Sequence, residues 1–127
     1  LVFVAHGPSI DADAEAWIAN LERAATRLTT RATVPHAIGL LRDDASPPVR
    51  AHAVQSIRDT ILALFRPGDD SVVVIPILIS QSDIVSVTIP TDLAGLPIRY
   101  VPRALAPSTH LARWIERVAL AASGPGQ

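Results

Sequence analysis

Short blocks of continuous aliphatic residues alternate along this chain with stretches whose apolar positions recur every three or four residues. The first block, Leu1–Ala5, is uninterrupted and rich in β-branched residues, the pattern of a strand buried on both faces. His6-Gly7-Pro8 breaks it. From about Asp11 to Thr29, Trp17, Leu21, Ala24 and Leu28 recur at helical spacing. Asp11, Asp13 and Glu15 sit where a helix dipole favours acids, and Arg23 and Arg27 sit near the other end. A second strand is predicted over Val34–Leu41. Ser46-Pro47-Pro48 then opens a helix with Val54, Ile57, Ile61 and Leu64 inward, which Pro67-Gly68-Asp69 stops. Ser71–Ile79 is the strongest strand signal, too apolar for an edge position, so it is expected to be central and covered on both faces.

Residues 84–96 read two ways. Val85, Val87, Thr88 and Ile89 favour a strand, Asp83 could cap a short helix, and Pro90 ends or kinks either. A short fourth strand is expected at Pro97–Val101. A last helix follows, capped by Ser108-Thr109 and reaching Ala122, with Leu111, Trp114, Ile115 and Val118 inward. The order β-α-β-α-β-(α)-β-α predicts an α/β fold: a three-layer sandwich with about four parallel strands and helices on both faces. One domain spans 1–122, with a frayed tail at 123–127. The loops after the strands converge on one edge, where open parallel sheets bind their ligands. They bring His6 and Ser9, then Arg42, Asp43 and Asp44, then Ser80, Gln81, Ser82 and Asp83, and finally Arg103.

Composition narrows the chemistry. Apolar residues make up 49% and charged residues 18% of the chain, the balance of a globular domain. A formal net charge of -1 argues against nucleic acid or an acidic membrane as partner. The absence of cysteine excludes disulfides, thiolate metal sites and cysteine nucleophiles. No apolar run approaches a membrane span, and no signal-peptide pattern is visible, so the cytoplasm is the expected compartment. All 11 basic residues are arginine, so only the placement of particular arginines carries weight. There is no Gly-x-Ser-x-Gly elbow, phosphate loop or Gly-x-Gly-x-x-Gly fingerprint.

Four segments in order resemble one family. They are Val4-Ala5-His6-Gly7-Pro8-Ser9; Gly39-Leu40-Leu41-Arg42-Asp43-Asp44 followed by Pro47-Pro48-Val49; Val72-Val73-Val74-Ile75-Pro76-Ile77-Leu78-Ile79-Ser80; and Ala106-Pro107-Ser108-Thr109-His110-Leu111. On these the chain resembles the short, CbiX-type sirohydrochlorin cobaltochelatases of cobalamin biosynthesis. The resemblance implies a chelatase-like, flavodoxin-like fold and a homodimer holding a tetrapyrrole between its two lobes. It also implies insertion of a divalent metal, Co²⁺ foremost, with Ni²⁺ or Fe²⁺ as alternatives. Histidines after the first and third strands would bind the metal and help remove pyrrole protons, and His6 matches the first. The second is missing: Ile79-Ser80-Gln81-Ser82-Asp83 has no histidine, and Gln81 or Asp83 would take its place. Gln is a poor ligand for such metals and cannot act as a base at neutral pH.

The residues divide accordingly. His6 is the expected metal ligand and proton acceptor, against a plain turn histidine. Arg42 and Arg103 could steady ring carboxylates, or could simply pair with Asp43 or Asp44. Ser9, Ser80, Ser82 and His110 could line the substrate site; His110 serves equally as a first-turn residue of the last helix. His36 and His52 read as structural. The alternative to a chelatase is a non-catalytic tetrapyrrole- or metal-binding protein on the same scaffold, with Gln81 as the feature in its favour. A weaker possibility is an unrelated flavodoxin-like interaction domain.

Overall fold

The structure is a computed structural model that describes residues 1–29 and 34–122. The proposed tail at 123–127 and the side chain of Leu28 lie outside the described residues. Four strands, β1 (Val2–Ala5), β2 (Ala37–Leu40), β3 (Val72–Ile77) and β4 (Ile98–Tyr100), form one sheet in the order β2-β1-β3-β4. Every pairing is parallel, with Ala5 level with Leu40 on one side and Ile77 on the other. Helices α1 (Asp11–Thr29), α2 (Pro47–Leu64), α3 (Ile89–Asp92) and α4 (Thr109–Ala122) connect or follow the strands. The chain is α/β with an all-parallel sheet, the layout of a flavodoxin-like three-layer sandwich, as its alternation of patterns predicts. Among the described residues, no helix is long and apolar enough to cross a membrane.

Strand register assigns side chains to the two faces. Val2, Val4, Val72 and Val74 point to one side, where they form a core with Ile57 and Ile61 of α2 and Ile89 and Leu93 from the α3 region. Strand β3 is central, as expected, but it is fully covered on one face only: Val72, Val74 and Pro76 are buried, while Val73, Ile75 and Ile77 keep some exposure. Gly39 is required here for close approach. A Cβ at this position would lie 2.6 Å from Cγ1 of Ile57, so α2 could not sit at its present depth. Gly39→Ala should therefore cost about 1–3 kcal/mol through overpacking. In a double-mutant cycle with Ile57→Ala, the pair should lose less stability than the two single changes together. Simple additivity would place the clash elsewhere.

The segment after β3 is helical. A π-helical turn at Ile84–Thr88 runs into α3. Val85, Ile89 and Leu93, spaced by four, are all fully buried, and this packing overrides the strand propensity of the β-branched residues. Pro90 leaves one carbonyl of the π turn without a backbone donor. The Ile89 N–H donates to Ile84 O, one residue beyond the α-helical partner. The next donor in that register would be Pro90, which has none, so Val85 O is orphaned. The Tyr100 hydroxyl from β4 donates to it at 2.7 Å. Asp83 precedes this turn but makes no side-chain cap.

Burial pushes the Tyr100 phenol up to about 12 from its ordinary value near 10. The unfolded chain would release this proton near pH 10 and the folded chain only near pH 12. Tyr100 thus contributes stability below pH 10 that is lost as pH rises from 10 to 12. In Tyr100→Phe, the urea midpoint should fall less over that window than in the parent, from a lower starting value because Val85 O loses its donor. Parallel alkaline curves would contradict this.

Two expectations fail on the other face. Helix α1 buries Ala25 and Thr29 and half-buries Leu21, while Trp17 and Ala24 are exposed. Its inward line is Leu21-Ala25-Thr29, because α1 lies along β2, where small residues allow close approach. The Thr29 hydroxyl donates to Ala25 O at 2.9 Å. His36, just before β2, joins Glu22 and Thr29 at 3.1 and 3.2 Å, a structural tie as expected. The correction at α4 is larger. Trp114, Ile115 and Val118 do not face inward, and no residue of this helix is buried.

Candidate functional site

Register alone brings the first two post-strand loops together. Ala5 and Leu40 are level in adjacent parallel strands, so His6 emerges beside the loop that follows β2. Gly7 makes the exit possible. It has φ +77°, and a Cβ there would approach Leu40 Cβ to 2.9 Å. Arg42 also adopts a left-handed conformation, φ +56°, and its N–H donates to His6 O at 2.6 Å. That turn aims the Arg42 side chain back across the first loop. Its Nε and one terminal nitrogen donate to Pro8 O and Ser9 O, both at 3.0 Å, and the other pairs with Asp11. Arg42 is thereby engaged with the loop that carries His6, and Asp11, not Asp43 or Asp44, is its carboxylate partner.

Neighbouring Asp43 and Asp44 have separate partners. Asp43 accepts a 2.7 Å hydrogen bond from Arg50 Nε, and the same guanidinium reaches Asp92 at 2.7 Å, tying the β2 loop to α3 through α2. The Asp43 hydrogen bond, aided by Asp92 against some burial, holds the Arg50 pKa above its ordinary value. Arg58 braces the same junction by donating to Asp92 O at 2.6 Å. Asp44 instead lies 3.6 Å from Nε2 of His6, with its side chain 77% exposed and that of His6 28% exposed.

The hydrogen bonding of His6 fixes its chemistry. Nδ1 lies 3.0 Å from Gly7 O. A carbonyl oxygen only accepts, so Nδ1 carries the hydrogen, and in the neutral ring Nε2 holds the free lone pair. Metal-binding imidazoles are commonly oriented by this kind of second-nitrogen bond to a backbone carbonyl. At 3.6 Å, the Nε2–Oδ2 pair is too long for a hydrogen bond. It is close to the separation of two ligands around one divalent ion with bonds of about 2.1 Å.

The remaining expected residues are less assembled. Gln81 is exposed, and its Oε1 accepts from Ala104 N at 3.2 Å, which ties the third loop to the segment after β4. Ser80, Ser82, Asp83 and Arg103 are exposed. The Ser82 carbonyl serves the π turn by accepting from Val85 N and Ser86 N. The Ser9 carbonyl is used by Arg42. His110 lies in the first turn of α4, exposed, with its N–H donating to Ser108 Oγ at 3.2 Å, so Ser108 caps that helix. Among the described residues, no three His, Cys, Asp or Glu side chains gather at metal-ligand spacing. A hollow of about 450 Å³ lies away from this edge, lined by Leu1, Val34, Pro35, Leu64 and Val72, with Arg66 and Asp69 as its charged residues.

Asp44 is the site residue that sequence reasoning under-weighted. Its signal is the pairing of β1 with β2, which puts residue 6 next to the acids of the loop after residue 41. Comparison with protein-family models, curated proteins and solved structures gives no match to this chain.

Proposed function

We propose that this chain handles a divalent metal at His6 and inserts it into a tetrapyrrole, in the manner of the cobaltochelatases it resembles. One observation carries most weight: the Nδ1 contact with Gly7 O leaves Nε2 of His6 as the free nitrogen, with the Asp44 carboxylate 3.6 Å away. Co²⁺ accepts such an imidazole–carboxylate pair, with Ni²⁺ and Fe²⁺ as alternatives. On insertion the ring exchanges two pyrrole N–H protons for the metal, and both protons must leave. Asp44, the more exposed of the His6–Asp44 pair, takes the first as it releases the metal. Nε2 of His6 takes the second once the metal has passed to the ring nitrogens. Arg103, exposed on the same edge, suits the ring carboxylates better than Arg42, whose donors already bind the first loop. One copy supplies one wall of a cleft, so the proposal includes a homodimer.

A second reading is favoured by Gln81. It follows β3, where the resemblance implies a second histidine, and its oxygen accepts from Ala104 N–H. A binding protein that retained the scaffold without turnover fits that feature. Anaerobic insertion of Co²⁺ into sirohydrochlorin, followed by absorbance, separates the two. Insertion by the parent above the uncatalysed rate supports the chelatase. A silent parent that Gln81→His makes active supports the binding protein.

A further inference from the structure

Among the described residues, two apolar surfaces are left without a partner, and they match. The first is α4. Trp114, Ile115 and Val118 form one stripe with Leu111 and remain 55%, 54% and 49% exposed. The second is the β3–β4 half of the sheet on the α1 side. There Val73, Ile75 and Ile77 are less buried than their neighbours on the opposite face, Ile79 and Leu105 beyond them are exposed, and β4 adds the exposed Arg99 level with Val73 as the polar rim of the seat. Helix α1 lies along β2, on the other half of this face. Right-handed connections place α2 and the α3 region on the opposite face, so only a helix following β4 is available to cover β3 and β4.

In its own chain α4 does not reach that surface. The segment after β4 stays beside β3, with Leu105 N donating to Leu78 O and Ala106 N to Ile79 O, both at 2.8 Å. It leads α4 off at the ligand edge of the sheet. We propose that a second copy of this chain completes the sandwich: two chains exchange α4 about a two-fold axis, and each helix covers the other chain's β3–β4 face. A helix and its vacant seat on one chain form a self-complementary surface, as a closed two-fold pair requires. The area is sufficient. Helix α4 is 14 residues long, about 21 Å at the usual helical rise. Its stripe, made of side chains of this size, offers about 400 Å² to a seat of similar area. Two such seats bury about 1,600 Å² in total, the size of a standard stable interface. One copy's α4 begins at the same edge as its His6, so the exchange also brings the two metal edges into one assembly.

The inference rests on the two-copy reading above but not on the metal chemistry. The chain has no cysteine, so single thiols can be placed cleanly. Ile75→Cys and a size-tagged Ile115→Cys are mixed and treated with a short bis-maleimide; Val73→Cys replaces Ile75→Cys if that variant does not fold. The expected product is a cross-linked pair containing one chain of each kind. Ile115→Asp should weaken the dimer at least tenfold in sedimentation while leaving the helical circular dichroism intact. A dimer that gives no 75–115 cross-link would overturn the exchange and leave another dimer interface standing. A chain that sediments as a monomer would overturn both. So would the Ile75→Cys/Ile115→Cys double variant cross-linking within a single monomeric chain, since α4 would then fill its own seat.

Discussion

His6→Ala should reduce Co²⁺ insertion to the uncatalysed background while leaving urea stability almost unchanged. The side chain is partly exposed, and its one short polar contact is with the neighbouring Gly7 carbonyl, so little of the fold depends on it. Its loss would remove the proposed nitrogen ligand from the His6–Asp44 pair and one of the two proposed proton acceptors. Asp44→Asn should be milder: the carboxamide oxygen can still approach a metal but no longer takes a proton at neutral pH. The expected order is parent, then Asp44→Asn, then His6→Ala. Asp43→Asn separates position from chemistry, since it disturbs the Arg50 clamp without touching His6. If His6→Ala inserts metal as fast as the parent, the His6 edge is not the reacting one.

The second large effect is on stability. Ile61→Ala should cost about 2–5 kcal/mol, the range for deleting a large side chain from a packed core. Ile61 has no exposed surface and lies between α2 and the Val72–Val74 face of the sheet, within the main core cluster. The next residue, Leu62, is 52% exposed, and Leu62→Ala should fall within about 0.5 kcal/mol of the parent. Urea unfolding of the two neighbours, which share a helix and differ little in chemistry, tests whether the fold hangs on the α2 face. Equal losses would mean that α2 is rotated from the position described.

The fold was legible where burial acts on a continuous local pattern. Val72–Ile77 is too apolar to be anything but a central strand, and Ile57 and Ile61 mark α2 by their spacing. Residues 84–92 were ambiguous because propensity and packing disagree there. The spacing of Val85, Ile89 and Leu93 held the answer, and the Tyr100 hydroxyl serves the Val85 carbonyl that the π turn leaves free beside Pro90. The outer layer was misread at Trp17 and across α4. Amphipathic spacing shows that a helix has an apolar side; it does not show that its own chain supplies the cover.

The site was half legible. His6 at a strand end, and the convergence of loops on its edge, follow from strand order. The partners do not, because each is set by contacts distant in sequence. Arg42 reaches Asp11, Pro8 and Ser9 from a left-handed turn, and Asp44 lies beside His6 while Arg50 holds Asp43. A formula of adjacent acids after a strand cannot say which one faces the histidine.

The most direct test of the central claim is a Co²⁺ titration followed by ¹H–¹⁵N imidazole NMR on the parent chain. His6 resonances should broaden first, ahead of His36, His52 and His110, with Nε2 the affected nitrogen and Nδ1 keeping its hydrogen toward Gly7. First broadening at any other histidine, or at Nδ1 of His6, would contradict the account.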